Sequence, residues 1–471
     1  MRVKIKYRII IALIIIPCFL SCKKFIQVDL AESQIDRDVV FSSDRTATAA
    51  ITGIYSTMVN QATFASGRTN SVTALSALSA DELRYHLTTS VDFIMFVENE
   101  LLASGNSINT LWKTMYSSIY SANAALEGIA GSTGMSPAVK TQLKGEALFT
   151  RAFCYFYLVN LFGEVPLITT IDYQQNAIAS KNSIDEIYTS IINDLTTAQG
   201  LLGDSYVTTG RVRPNKAAAT ALLARVYLYK KDWVNAELQS TAVITNSNYS
   251  LLTNANINNV FKSDSREAIW QLQPAGTSFN TGEGNLFILT TAPNASRPFS
   301  LTNTQLNAFE AGDDRRAKWV SSIVAGGNTY YFPHKYKIGT GGTSSNPAVP
   351  LTEYSMVLRL AEQYLIRAEA RAWQDKFTEA QSDINAIRNR ALLGNTTAND
   401  RTTLLTAIEQ ERRVELFTEW GHRWLDLKRT NRADAILPTL KSPHWQFTDV
   451  LYPIPQPEID LNPNMTQNPG Y

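Results

Sequence analysis

The segments 221-ALLARVYLYKKDWVNAEL-238 and 365-LIRAEARAWQDKFTEAQS-382 echo each other at a constant offset, and this repeat limits the possible folds more than any other feature. Ala224 aligns with Ala368, Trp233 with Phe377 and Ala236 with Ala380. In each copy, a helix with a small residue at a contact point runs into a charged turn. A second helix then opens on an aromatic residue, with alanine three positions later. Small residues let two antiparallel helices approach closely, and the ring fills the gap at the turn, as in tetratricopeptide hairpins. A fainter third copy centres on Ala152 in 146-EALFTRAFCYFYLVNLF-162, and its second half breaks at GEVP.

Apolar spacing of three and four residues predicts further helices. Leu111, Met115, Ile119, Ala122 and Leu126 show it most plainly. Helices are expected near 44–62, 107–129, 136–162, 183–202, 214–230, 232–246, 353–374, 376–391 and 401–430. Strand-like alternation is sparse before 260–345, where glycine, serine, threonine and asparagine surround EAIWQLQP and NTYYFPHKYKIG. The expected fold is mainly α: a tetratricopeptide-like helical-repeat scaffold with an irregular, partly β variable insertion. The helical region spans 41–258, the insertion 259–352, and a second helical region 353–471.

With 471 residues, the chain exceeds one ordinary core, which agrees with a repeat-built body. Its 43 lysines and arginines nearly balance 42 acids, so nothing in the charge favours nucleic acid as a partner. At the N-terminus, a basic leader (MRVKIKYR) precedes the apolar run IIIALIIIPCFL and then Ser21-Cys22. The run is short for a membrane span and reads as a secretory signal over 1–21. Cys22 stands where a bacterial lipoprotein is cut and acylated, and 22–40 would form a tether to the membrane. An acylated Cys22 cannot form a bridge, so Cys154 has no disulfide partner in the mature chain and is expected to be a small core residue.

The sequence contains no recognisable catalytic set. Four histidines lack metal-ligand spacing, and the glycine-rich GTGG lacks the frame of a phosphate cradle. No cofactor or metal is expected. Asp81 and Glu82 are adjacent, and adjacent carboxylates rarely converge on one bond. The stretch 407-AIEQERRVELFTEWGHRWLDLKRTNRA-433 is dense in charge and predicts one long helix. Glu411, Glu415 and Glu419 would share a stripe on it, with Glu409–Arg413 and Glu419–Arg423 paired four apart. The expected role of Glu411, Arg412, Glu415, Glu419, Arg423 and Asp426 is a structural ion-pair framework, because buried carboxylates are tolerated only when paired.

ERRVELFTEWGHRWLDLKRT resembles the C-terminal signature of the SusD/RagB family of nutrient-binding outer-membrane lipoproteins. CKKFIQVD after the signal, GEVPLI, RLAEQYLIRAEARA with INAIRNRA, and 452-YPIPQPEIDLNPNMTQNPGY-471 follow in that family's order. The resemblance spans essentially the whole chain. It implies a lipid anchor at Cys22, a surface-exposed position on the outer membrane, and a helical lobe facing a SusC-like TonB-dependent transporter. Non-catalytic capture of a glycan, or in some members a peptide, is the implied activity.

Sugar rings pack their C–H faces on aromatic rings, and their hydroxyls ask for polar partners. Two regions offer this mixture, 81-DELRYHLTTSVDFIMF-96 and the insertion. The candidate ligand-binding residues are Asp81, Tyr85, Phe279, Trp319, Tyr330 and Tyr331. Competing readings are a peptide-binding uptake subunit, a surface glycoside hydrolase acting through a carboxylate such as Asp81, and a scaffold that binds only protein.

Overall fold

The computed structural model describes residues 37–60, 62–274, 279–339 and 351–471. Cys22, the signal and residues 22–36 of the expected tether lie outside these residues, while its last four residues, Arg37–Val40, form a short helix. The repeat is visible as two helical hairpins, Lys216–Tyr229 with Trp233–Ile244, and Leu360–Trp373 with Phe377–Arg390. Ala224, Ala236, Ala368 and Ala380 are fully buried at the contacts. The hairpin turns match in conformation as well as in sequence: Lys231 and Asp375, equivalent under the same offset, both take a left-handed backbone, with φ of 59° and 60°. The hairpins stack through Trp233–Ile244 against Leu360–Trp373, and Trp233 lies parallel to Trp373 at 5.2 Å.

The faint third copy is also a hairpin, but with a long connection. Pro137–Phe162 packs against Ile184–Leu201. Gly163, at φ 76°, ends the first helix. Val165–Pro166 then pairs with Lys181–Asn182 before the second helix begins. Asn106–Gly131 packs on the other side of this unit. Cys154 is buried and unbridged. No helix among the described residues is long and apolar enough to cross a membrane.

Two expected helices are revised. Within 353–374, Ser355–Arg359 is a strand that pairs antiparallel with Ala268–Leu272, and the helix starts at Leu360. The apolar run that resembled a first helical turn is a fully buried strand, a pattern that periodicity alone does not separate from a buried helix. The long helix at 401–430 is broken into Arg401–Glu415 and His422–Arg429. Thr418, Trp420 and Gly421 have positive φ between the two. The Thr418 N–H donates to Glu82 and the Trp420 N–H to Thr73, so contacts with a distant segment replace helical hydrogen bonds.

Inside the insertion, Val320–Ala325 and Asn328–Pro333 form a regular hairpin. Gly326 and Gly327 turn it with φ of 58° and 77°, the left-handed pair a two-residue turn requires. A short strand, Phe299–Leu301, pairs with Leu83–Tyr85 and so joins the insertion to the early helices.

Ala368 has no room for a larger side chain. Ala368→Leu is expected to cost about 1–3 kcal/mol through overpacking. Urea unfolding with an unchanged midpoint would show that the hairpins do not meet at this residue.

Candidate functional site

The strand Leu83–Tyr85, its partner Phe299–Leu301 and the 320–333 hairpin enclose a cleft of about 480 Å3, closed on one side by Leu440 and Lys441. Asp81, Arg84, His86, Ser300, Thr302, Asn303, Asn328, Tyr330 and Tyr331 contribute to its lining. Pairing of Arg84 with Ser300 sets the register that carries His86 to the edge of the cleft. His86 Nε2 lies 2.7 Å from Ser300 Oγ. Its ring meets Tyr330 edge-to-face at 5.2 Å. Burial, reinforced by the Arg84 charge, lowers the His86 pKa and favours a neutral ring. Tyr331 is held beneath the Arg316 guanidinium at 4.9 Å.

Of the six residues selected from sequence, the cleft brings together three: Asp81, Tyr330 and Tyr331. Tyr85 is half-buried behind it, packed on Phe93 and Phe299, with its hydroxyl accepting from the Ser90 N–H. Trp319 is a correction. It is 0% exposed, donates from its indole to the Ile257 carbonyl, and has Lys335, Arg359 and Arg390 around its ring within 5.9 Å. Cation–π contact with buried charges, not a sugar face, accounts for its position. Phe279 is likewise buried, with the Arg68 guanidinium 4.8 Å above its ring, and is not part of the lining.

Asp81 reaches the cleft wall only with its carboxylate already engaged. It is 4% exposed and accepts from Arg423 at 2.9 and 3.2 Å and from Arg413 at 2.8 Å. Burial alone would raise its pKa, and the two guanidiniums hold it below the usual carboxylate range. Both oxygens being occupied, Asp81 is a poor candidate for a general acid or base. Glu82 points inward instead, where burial raises its pKa to about 8 despite the Thr418 N–H.

The charged 407–433 stretch forms a buried network behind the cleft. Glu415 accepts from Arg315 at 2.9 Å and from Arg359 at 2.5 Å, and it also pairs with Arg390. Burial would raise its pKa, yet Arg390, Arg359 and Arg315 together hold it well below the usual value. Arg315 also binds Asp313 and Glu411, and Arg390 binds Glu267. Glu419, displaced from the expected stripe by the helix break, pairs with Arg359 and Lys335. Arg423 joins Asp81 and Glu409 rather than Glu419, and the predicted Glu409–Arg413 pair gives way to Arg413–Asp81. Arg412 grips Asp426 at 2.7 and 3.0 Å. Sequence reasoning overlooked Glu267, Asp313, Arg315, Lys335, Arg359 and Arg390, along with Ser300 and Lys441 in the cleft. Asp313 pairs with its near neighbour Arg315, and the others lie far along the chain from their partners, where no local pattern marks them.

Outside the cleft, Glu98, Glu100 and His444 bring possible ligand atoms within 4.8 Å of one another. His444 Nδ1 already lies 2.8 Å from Glu100.

Comparison with known proteins adds a consistent set of likenesses. Residues 27–228 match the family described as "Starch-binding associating with outer membrane", and residues 315–471 match the SusD family. SusD-like protein P25 of Formosa agariphila is 27% identical, with 99% of this chain and 100% of that protein covered. Starch-binding protein SusD of Bacteroides thetaiotaomicron is 27% identical over 72% of this chain and 74% of its own length. Among solved structures, a SusD superfamily protein from Bacteroides vulgatus superposes with a TM-score of 0.79 at 21% identity, covering 91% of this chain and 99% of that one. A laminarin-binding SusD-like protein gives 0.74 at 25% identity, over 91% and 99%.

Because Glu82 keeps its proton in the folded state, it stabilises fully below the unfolded pKa of 4.5, and this contribution is lost as pH rises towards 8. Glu82→Gln is expected to remove a decline of up to about 1.4 kcal/mol per pH unit between those values. Urea titrations of both proteins at pH 5, 6, 7 and 8 test this. Equal slopes would contradict a buried, protonated Glu82.

Proposed function

The chain belongs to the SusD/RagB family, and from that membership we propose that it is a non-catalytic saccharide-binding protein of the cell surface. It captures an oligosaccharide or polysaccharide and passes it to a SusC-like TonB-dependent outer-membrane transporter. The observation that carries the binding reading is the cleft between Leu83–Tyr85 and the 320–333 hairpin. There two tyrosines and a neutral histidine stand among threonine, serine and asparagine side chains. Aromatic faces suit sugar C–H groups, and the hydroxyls and amides suit sugar hydroxyls. The relatives named for starch and laminarin support the same ligand class.

Hydrolysis of a glycosidic bond normally needs two carboxyl groups facing each other across it. In this cleft the lining includes one, Asp81, which two arginines occupy. The fitting role is to hold the ligand. Cys22 would carry the lipid. A single acyl chain gives only marginal, reversible attachment, so several chains, helped by docking to the transporter, would keep the protein at the surface.

Affinity electrophoresis in laminarin and starch gels, with a reducing-end assay in parallel, tests this reading. The expected result is retardation without release of reducing ends, weakened about tenfold, or ~1.4 kcal/mol, by Tyr330→Ala with Tyr331→Ala. Retardation unaffected by the double substitution would place binding elsewhere, and release of reducing ends that depends on Asp81 would make the protein an enzyme.

A further inference from the structure

The charges of the cleft narrow the class of saccharide, an inference that rests on the saccharide-binding reading above. Among the described residues Asp81 is the only carboxylate in the lining, and Arg423 and Arg413 already neutralise it. Two cationic side chains remain. Arg84 is exposed on the strand, and no acid lies within ion-pair distance of it among the described residues. Lys441 is also in the lining, at 9% exposure. Its ammonium donates to the Leu78 and Val97 carbonyls at 2.7 Å each, and both acceptors are neutral. The nearby acids Glu98 and Glu100 are turned to His444. Arg316, above Tyr331, adds a further cation beside the cleft.

A site built for neutral sugars commonly offers carboxylates that accept from pairs of hydroxyls. Here no carboxylate is free to do so, and the cleft presents positive charge instead: Arg84, with no acid at ion-pair distance among the described residues, and Lys441, whose charge is felt by Asp81, itself already held by two arginines. Anionic oxygens bind such donors through charge-assisted hydrogen bonds, which are shorter and stronger than neutral ones. We propose that the cleft selects an anionic glycan, one carrying carboxylate or sulfate groups, through Arg84 and Lys441. The tyrosines and His86 then take the ring faces, and the charged groups fix which residue of the polymer sits between them. Arg84 also supplies long-range attraction, which salt screens within about 8–10 Å.

Calorimetric titration of the mature chain with three hexasaccharides tests this. They are a hexagalacturonate (carboxylate), a sulfated carrageenan hexasaccharide (sulfate ester) and laminarihexaose (neutral). At low salt, one of the two anionic ligands is expected to bind at least about tenfold more tightly than laminarihexaose. The better of the two identifies the anionic group. That preference should shrink as sodium chloride rises, fall in Arg84→Ala and Lys441→Met, and survive in Arg84→Lys. Laminarihexaose binding equal to or tighter than both anionic ligands, or a preference insensitive to salt and to Arg84→Ala, would overturn the inference while leaving saccharide capture intact. Failure of all three ligands to bind would remove the saccharide reading itself.

Discussion

Glu415 is the point at which the chain is tied together. Its carboxylate takes guanidinium groups from three separate stretches: Arg315 within the insertion, Arg359 on the strand that leaves it, and Arg390 at the end of a repeat helix. Burying so many charges costs several kcal/mol per ion, and a well-packed apolar core can match such a network in net stability. Its distinctive contribution is geometry. A buried arginine without its acid is strongly unfavourable, so arrangements that separate these three stretches are penalised. The network thereby specifies how the variable lobe sits on the helical scaffold.

The same segment reaches the cleft from behind. Arg413 and Arg423 hold Asp81, and the Thr418 N–H holds Glu82, immediately before the strand Leu83–Tyr85. On the other wall, Arg315 and Trp319 anchor the start of the 320–333 hairpin against Glu411, Glu415 and their cations. One stretch of about a dozen residues therefore grips both walls. The left-handed turn at Thr418–Gly421, which breaks the expected helix, lets its backbone bond to Glu82 and Thr73.

How much of this the sequence discloses depends on distance along the chain. The hairpins were legible because their signals are local: alanine at the contact, an aromatic three residues before the next, and a charged turn. Buried charge in 411–426 was legible too, since arginines and acids among tryptophans require pairing. Their partners were not, because Arg315, Arg359 and Arg390 come from elsewhere and the helix break follows from contacts with Thr73 and Glu82. Trp319 misled for a related reason: its neighbours Arg315, Arg316 and Lys318 suggest a wet surface, yet three cations and a backbone carbonyl enclose the ring. The cleft was half legible. Tyr330 and Tyr331 have the right chemistry in a variable region, whereas Ser300 and Lys441 join them only through folding.

A cleft whose walls are both fixed from behind should be formed before any ligand arrives and should change little on binding. Crystal structures of the chain, free and with a bound hexasaccharide, test this most directly. The account predicts a saccharide lying against Tyr330, with the strand and hairpin walls superposing within about 1 Å between the two states and Glu415 still holding its three arginines. A ligand seated on the helical-repeat face, or walls that close by several ångströms with the Glu415 contacts exchanged, would contradict it.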